Sequence, residues 1–477
     1  MRLSASAAAV LLVYLVAITA FGSWLGRRRR SVRDYFLAGR NIPWWAVATC
    51  IVATETSTLT FVGVPGLAYM GDWTFLQLAM GYVLGRILVS LVLIPAYFRG
   101  ELFTSYELLQ VRFGGGAVRA ASAGIFLLYR TLGDGIRLHA AALVLSMVAG
   151  VPEWWCILGL GLAMIFYTEE GGVTATIWTD AIQMFVYLAG ALACLSYVVG
   201  LLPEGLGPAL RSAELAGKLR LFDLSFDSVR PYTLWAGLLG GAFLTLATHG
   251  TDHYLVQRLL VARSRRDASL GLVLSGVLVL AQFALFLLLG TLLWAHYGGR
   301  SFARGDEVLP SFVATALPGG LTGFILAAIV AAALSPSLNS MASTTLRDFW
   351  IPYVEPAAGE AAQLRLGRLF TVIWGALQIG VALAAQNLDS ALNAGLAALG
   401  YASGPTVGAF LLGVLTRRAD SRGVLVGMVV GLLVSLSVGR LAPFVFGWAG
   451  VAWTWNVLVG ASVTFVTGLA ASRGRQG

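Results

Sequence analysis

Charge is the scarce ingredient of this sequence. Acidic and basic residues make up 12% of its 477 positions, against about 25% in a soluble domain, so water is not the main solvent of the chain. Polar stretches are short as well, none longer than about thirty residues, which leaves no room for a separate soluble catalytic domain. Cysteine is nearly absent: Cys50, Cys156 and Cys194 all fall within apolar segments and have no ligand spacing, which argues against a disulfide framework or a zinc site. Histidine is equally rare. His249 and His253 lie four apart beside Asp252, a spacing that suits a metal only on a continuous helix, and no further ligand accompanies them. His139 near a helix end and His296 beside a loop read as satisfied or interfacial residues.

What the chain does have is apolar sequence, 58% of it, in runs of roughly 18 to 27 residues, each long enough to cross about 30 Å of hydrocarbon. About thirteen transmembrane helices are expected, at roughly 4–25, 43–68, 73–98, 119–149, 154–168, 173–201, 232–259, 268–297, 320–346, 366–386, 390–415, 422–442 and 452–471. The first run resembles a signal peptide, but no basic region precedes it and RRRR at 27–30 follows it as a stop-transfer signal, so it is expected to stay as a helix. The net charge of +9 lies in short loops beside the apolar runs. That is the pattern of cytoplasmic loops, not of a nucleic-acid surface. Alternation puts every strongly basic loop on one side, which predicts a plasma (inner) membrane protein with its N-terminus outside and its C-terminus in the cytoplasm.

Two spans differ from the rest. ATETSTLTFVGVPG at 53–66 and TLATHGTDHY at 245–254 interrupt their apolar runs with small and polar residues at mid-membrane depth. Lipid offers no partner to backbone freed there, so protein, water or a ligand must. Five spans separate the two interruptions, which places them at the same position in two consecutive five-helix units, the second inverted relative to the first. This is the layout of transporters whose site lies at discontinuous helices.

At these residues the chain resembles the sodium:solute symporter family, which includes bacterial sugar, proline and sialic acid transporters. The motifs are DYFLAGRNIPWW (34–45), TFVGVPGLAY (60–69), IWTDAIQ (177–183), HGTDHYLVQR (249–258), LNSMAS (338–343) and GAFLLGVLTRRADSRG (408–423). The resemblance implies an all-α integral membrane protein of the LeuT-type fold: an extra N-terminal helix and basic loop (1–42), inverted repeat one (43–201), an extracellular loop (202–231), inverted repeat two (232–416), and C-terminal helices and tail (417–477). It implies sodium-coupled symport by alternating access rather than an enzyme, with the lipid bilayer and a small molecule as partners, Na+ as coupling ion and no other cofactor. The cation is implied to sit on the backbone carbonyls of Ala53 and Thr56 and on the ninth span. There the match puts Ala332 and Ala333 where most members carry hydroxyls. Three features could compensate. Asp180 and Ser335 match residues near a second sodium position in the sialic acid transporters; Pro336, lacking an N–H, leaves the Ala332 carbonyl without its helical donor; and Glu55 lies inside the first interruption. Intramembrane carboxylates cost roughly 2.5 to 3.5 kcal/mol and need a partner, so Glu55 either binds the cation or takes a proton, which keeps a proton-coupled or cation-independent carrier open.

By position, substrate contacts are implied for Ser57 and Thr60, Gln77 or Tyr82, Thr245, Thr248 and His249, and Asn393. Their hydroxyl and amide groups form hydrogen bonds without fixed charge. The run YRTLGDGIRLHA at 129–140 adds Arg130, Asp134 and Arg137 on one helix face. One carboxylate cannot neutralise two guanidinium groups, so an arginine here is either a fork for a substrate carboxylate, favouring an organic acid or acidic sugar, or part of a structural network with Glu55 or a backbone carbonyl. A membrane-embedded enzyme would need a nucleophile and base or a metal cluster, neither of which stands out. Two broken helices suit an occluded site better than the open pore of a channel.

Overall fold

The structure is a computed structural model that describes residues 4–26, 40–100, 102, 104–170, 173–333, 337–357, 359–387, 391–438 and 450–473. Apart from one isolated bridge, Ile42 with Ala262, regular structure among these residues is helical. Six helices are long and apolar enough to cross a membrane, and a bent pair makes a seventh. Shorter apolar helices, including Glu153–Phe166, Gly400–Leu415 and Ser421–Leu436, pack among them. The longest spans need no special pleading. Arg265–His296 starts where the Ser264 hydroxyl accepts the Asp267 amide at 3.1 Å, a standard N-cap, and its 32 residues cover about 48 Å at 1.5 Å per residue.

The first interruption is a true break. Helix Trp44–Glu55 stops where Thr56 and Ser57 turn extended (φ −74°, ψ 91° and φ −95°, ψ 173°), and a second helix, Thr58–Met70, departs. The two are bent by 63°. Thr and Ser favour this because their hydroxyls compete for backbone groups that a helix would otherwise use. The second interruption has another form. The seventh span is π-helical over Ala236–Gly240 and Leu246–Thr251, and it ends at Asp252 (φ −71°, ψ 118°), whose carboxylate caps the next helix, His253–Leu260, by accepting the Tyr254 amide at 2.8 Å. Widened π turns inside helices gather at functional sites.

Glycine lets these unusual spans pack. A Cβ on Gly81 would lie 2.1 Å from the Gly237 carbonyl oxygen, and one on Gly290 would lie 2.0 Å from that of Pro65, so backbone meets backbone as small residues allow in membranes. Three stretches expected as loops contain helices of their own: Glu107–Phe113, Leu206–Leu215 and Val308–Thr315. Their length, under two or three turns, kept them below the threshold of a span pattern. The 202–231 segment is clamped across one end of the bundle: Lys218 donates to the Tyr69 carbonyl at 2.6 Å, Arg220 pairs with Asp72 at 2.8 Å, and the Asp223 amide donates to Gln77 at 3.3 Å. At another end Arg119 holds Asp348 at 2.5 Å, and Arg112 donates to the carbonyls of Gly413 and Thr416 at 3.1 and 2.7 Å.

Replacing Gly290 by Ala forces either the broken helix or the long helix to shift. Overpacking of this kind costs about 1–3 kcal/mol, so Gly290→Ala is expected to lower the melting temperature of the detergent-purified protein by several degrees. Gly320→Ala, where no atom lies within 4 Å of the added carbon, leaves it unchanged; equal melting curves would refute the close contact.

Candidate functional site

A cavity of about 130 Å³ opens between the two interruptions. Its walls bring together Ser57 and Thr60 from the broken helix, Tyr82 from the third span, Arg130, Asp134 and Arg137 from helix Ala117–Ala149, and Thr245, Thr248 and His249 from the π-helical span. Glu55 and Thr54 line it too, with Phe75 and Phe283 supplying apolar surface. Gln77 stands elsewhere. Its side chain donates to the Tyr232 carbonyl at 2.9 Å and accepts the Asp223 amide, so it braces the 202–231 segment, and Tyr82 is the third-span residue at the cavity. Asn393 lies on helix Ala391–Leu415, and Ala332 near the end of helix Gly319–Ala333, but both side chains fall outside the described set, as do Ser335 and Pro336 altogether.

Three ion-pair systems surround the cavity. In the first, Arg86, with no exposed surface, donates through Nη2 to Glu55 Oε2. The same nitrogen lies 3.3 Å from His249 Nε2. A guanidinium can only donate, so His249 Nε2 is the acceptor and its proton sits on Nδ1, which donates to the Thr248 hydroxyl at 2.8 Å; that hydroxyl in turn donates to the Leu244 carbonyl at 3.1 Å. The tautomer follows from this network, and the π turn Leu246–Thr251 holds His249 in it. Sequence reading missed Arg86, although an arginine within the apolar run 73–98 was itself a signal.

In the second system Arg130 donates through Nε and Nη2 to Asp252, with the Nε bond at 2.9 Å, and lies 3.6 Å from Asp134. Asp252 is therefore the second carboxylate that balances the two arginines, in place of the Glu55 or carbonyl considered from sequence. Arg137 approaches Asp134 only to 3.7 Å, and its buried Nε has no hydrogen bond. Asp134 is engaged instead by the Ser337 hydroxyl. Arg137 is thus matched in charge but not in hydrogen bonds. In the third system Asp180 receives Thr54 at 3.3 Å, the Cys50 thiol at 3.4 Å and Arg258 at 3.4 Å, while Arg258 stacks 3.9 Å over the Tyr254 ring. Each of the three systems bonds one of the interrupted segments or its immediate flank.

The break itself leaves backbone oxygens available. Among the described residues no backbone amide donates to the carbonyls of Ala53 or Thr56, because the Thr60 amide turns to Ser57 at 2.9 Å. Next to them Thr58, fully buried, donates its hydroxyl to the Ile329 carbonyl at 3.1 Å, tying the break to helix Gly319–Ala333. The Thr56 hydroxyl reaches Gln282 at 3.0 Å. Among the described residues no group of three or more His, Cys, Asp or Glu side chains could hold a metal ion; the oxygens offered here are carbonyls and hydroxyls, suited to a hard monovalent cation.

Comparison with known proteins agrees with this geometry. The profile of the sodium:solute symporter family matches residues 35–431. Human sodium-coupled monocarboxylate transporter 1 is 28% identical over 440 residues, covering 90% of this chain and 72% of the relative, and the human sodium/iodide cotransporter is 30% identical, covering 90% and 69%. Among solved structures, a substrate-bound, outward-open Na+-coupled sialic acid symporter superposes with a TM-score of 0.88 at 25% identity, covering 98% of each chain.

The Asp180–Arg258 pair can be separated from its surroundings by a double-mutant cycle. Removing one member of a buried pair strands the other charge, at about 3–5 kcal/mol, whereas replacing both by apolar groups is close to neutral. Asp180→Leu is expected to lower the melting temperature sharply, and Asp180→Leu with Arg258→Met to recover most of it. Additive losses would mean that the two do not interact.

Proposed function

The chain belongs to the sodium:solute symporter family, and from that premise we propose that the small solute it carries with sodium is a monocarboxylate of about six heavy atoms. As a member it is a multi-pass membrane protein of the LeuT-type fold, a symporter and not an enzyme, with Na+ as the coupling ion. The passenger is read from the cavity. The observation that carries the reading is Arg137: a guanidinium in the membrane interior that lines the cavity, approaches Asp134 only to 3.7 Å and has no hydrogen bond to protein among the described residues. A carboxylate satisfies such a fork through two parallel bonds, and Arg130, fixed by Asp252, positions the same wall. Size narrows the class further, since a cavity of about 130 Å³ resembles the one of about 150 Å³ that accepts benzene. That the relatives include a monocarboxylate transporter and an iodide transporter supports a small anion.

Around the carboxylate the hydroxyls of Ser57, Thr60 and Thr245 and the Tyr82 phenol offer hydrogen bonds, and Asn393 of the eleventh span is assigned to the same set by its sequence position. Sodium rests on the carbonyls of Ala53, Thr56 and Ala332, with Ser335 assigned to the seat by its sequence match, and Asp180, bonded to Thr54 one residue from Ala53, adds negative potential to that seat. Thr58 makes up for the ninth-span hydroxyls replaced by Ala332 and Ala333, since its oxygen keeps lone pairs free while it bonds Ile329. In this arrangement 43–201 and 232–416 are the inverted repeats, 1–42 and 417–477 flank them, 202–231 covers the extracellular face, and the chain runs from outside to cytoplasm in the inner membrane, with lipid, solute and cation as its partners and no nucleic acid.

Uptake into proteoliposomes under a sodium gradient tests the reading with a series of straight-chain monocarboxylates; uptake peaking at four carbons is expected, and no sodium-driven uptake of any member would sink it. Arg137→Gln should raise the half-saturating carboxylate concentration by about 10- to 100-fold, the worth of a charged hydrogen bond, with the sodium requirement retained. Thr58→Ala should raise the half-saturating sodium concentration several-fold and weaken sodium-induced thermal stabilisation, with Thr58→Ser restoring both. A variant Thr58→Ala with wild-type sodium affinity would remove Thr58 from the cation seat.

A further inference from the structure

Among the described residues, Glu55 is the one carboxylate on the cavity wall that belongs to neither the arginine pair of helix Ala117–Ala149 nor the sodium seat. It sits at the last turn of Trp44–Glu55, just before the break. Both of its protein contacts, the Arg86 guanidinium and His249 Nε2 at 3.6 Å, fall on Oε2. Oε1 has no partner among the described residues, and the side chain keeps 17% of its surface open while Arg86 behind it has none. His249 cannot compete for that oxygen, because its Nε2 is occupied as an acceptor and its proton lies on the far nitrogen. Glu55 therefore presents an acceptor to the cavity, paired with and held in place by a buried arginine.

The cavity is small enough that this matters for the solute. Glu55 and Arg137 line the same space of about 130 Å³, so a solute of about six heavy atoms with its carboxylate on Arg137 shares that small space with Glu55. A second carboxylate there faces Glu55 Oε1, and like charges in a water-poor site repel strongly. A methyl group leaves Oε1 desolvated and unmatched, which also costs binding. A hydroxyl donates to it and satisfies both. We propose that Glu55 is the selectivity residue of this transporter, rejecting dicarboxylates and favouring short monocarboxylates that carry a hydroxyl at the end remote from the carboxylate. The inference rests on the monocarboxylate reading above and adds a second contact within the same cavity.

Three probes of matched size separate the cases: 3-hydroxypropionate, butyrate and malonate. Each competes against labelled 3-hydroxypropionate in sodium-driven counterflow in proteoliposomes. The wild-type protein is expected to prefer 3-hydroxypropionate over butyrate by about tenfold and to ignore malonate. Glu55→Gln should erase most of the preference for the hydroxyl and let malonate compete at least tenfold better. Because that change leaves Arg86 unpaired, Glu55→Gln with Arg86→Gln restores the charge balance and should show the same shift, with sodium-induced thermal stabilisation reporting that each variant is folded. If the wild-type protein takes up no monocarboxylate with sodium, the reading of the passenger fails and this inference with it. If it takes up monocarboxylates but ranks the three probes equally, or if folded variants keep the wild-type ranking, Glu55 is not the filter and the monocarboxylate reading stands.

Discussion

A helix interrupted inside hydrocarbon has to settle its freed backbone without help from lipid, and nearly every functional feature of this protein follows from where that happens. At Thr56 and Ser57 the chain turns extended and the carbonyls of Ala53 and Thr56 lose their helical donors. At Asp252 a π-helical span ends and a new helix begins under a side-chain cap. Both places lie beside one cavity, whose walls take Thr54, Glu55 and Ser57 from the first and Thr245, Thr248 and His249 from the second. The glycine contacts serve the same end: Gly290 lets the long helix lie directly against Pro65 of the broken one, and Gly81 brings the third span against the π-helical one, so that two irregular segments are held by regular neighbours.

Ion pairs are the second consequence. Glu55–Arg86, Arg130–Asp252 and Asp180–Arg258 each bond a residue of an interrupted span or its flank to another span. Buried pairs add little net stability, but each is expensive to break singly. They act here as positional pins for segments that lack a continuous helical ladder, and the geometry of the cavity is as definite as the pins are.

The interruptions themselves were legible in sequence, since each reads as polar and small residues at mid-span, and so was the set of hydroxyls, Tyr82, the arginines and His249 that now surround the cavity. Pairing was not legible. Which carboxylate meets which guanidinium depends on the rotation of each helix about its axis, and a one-dimensional pattern leaves that open to within the width of a face. Arg130 therefore met Asp252, 122 positions away, rather than Glu55, and Glu55 met an arginine that the apolar run around Arg86 had hidden. Gln77 points the other way, toward Tyr232 and Asp223, because one helical residue is 100° from the next. The helices within the stretches expected as loops escaped for a different reason: they are too short for periodicity to separate them from loop.

Charge balance then links the empty site to coupling. Around the cavity Arg86, Arg130, Arg137 and Arg258 face Glu55, Asp134, Asp180 and Asp252, so the fixed charges cancel. An uncompensated charge near the middle of the membrane costs several kcal/mol. With a carboxylate as passenger, the empty carrier is neutral and so is the carrier holding one sodium and one anion. A carrier holding either alone is not. The low-dielectric interior therefore raises the energy of the two half-loaded forms relative to the empty and fully loaded ones, and those half-loaded forms are the ones whose reorientation would let sodium or solute leak separately. On the proposed reading, four carboxylates and four guanidinium groups among the described residues, pinned in matched number, favour the joint crossing of one sodium with one anion over the separate crossing of either.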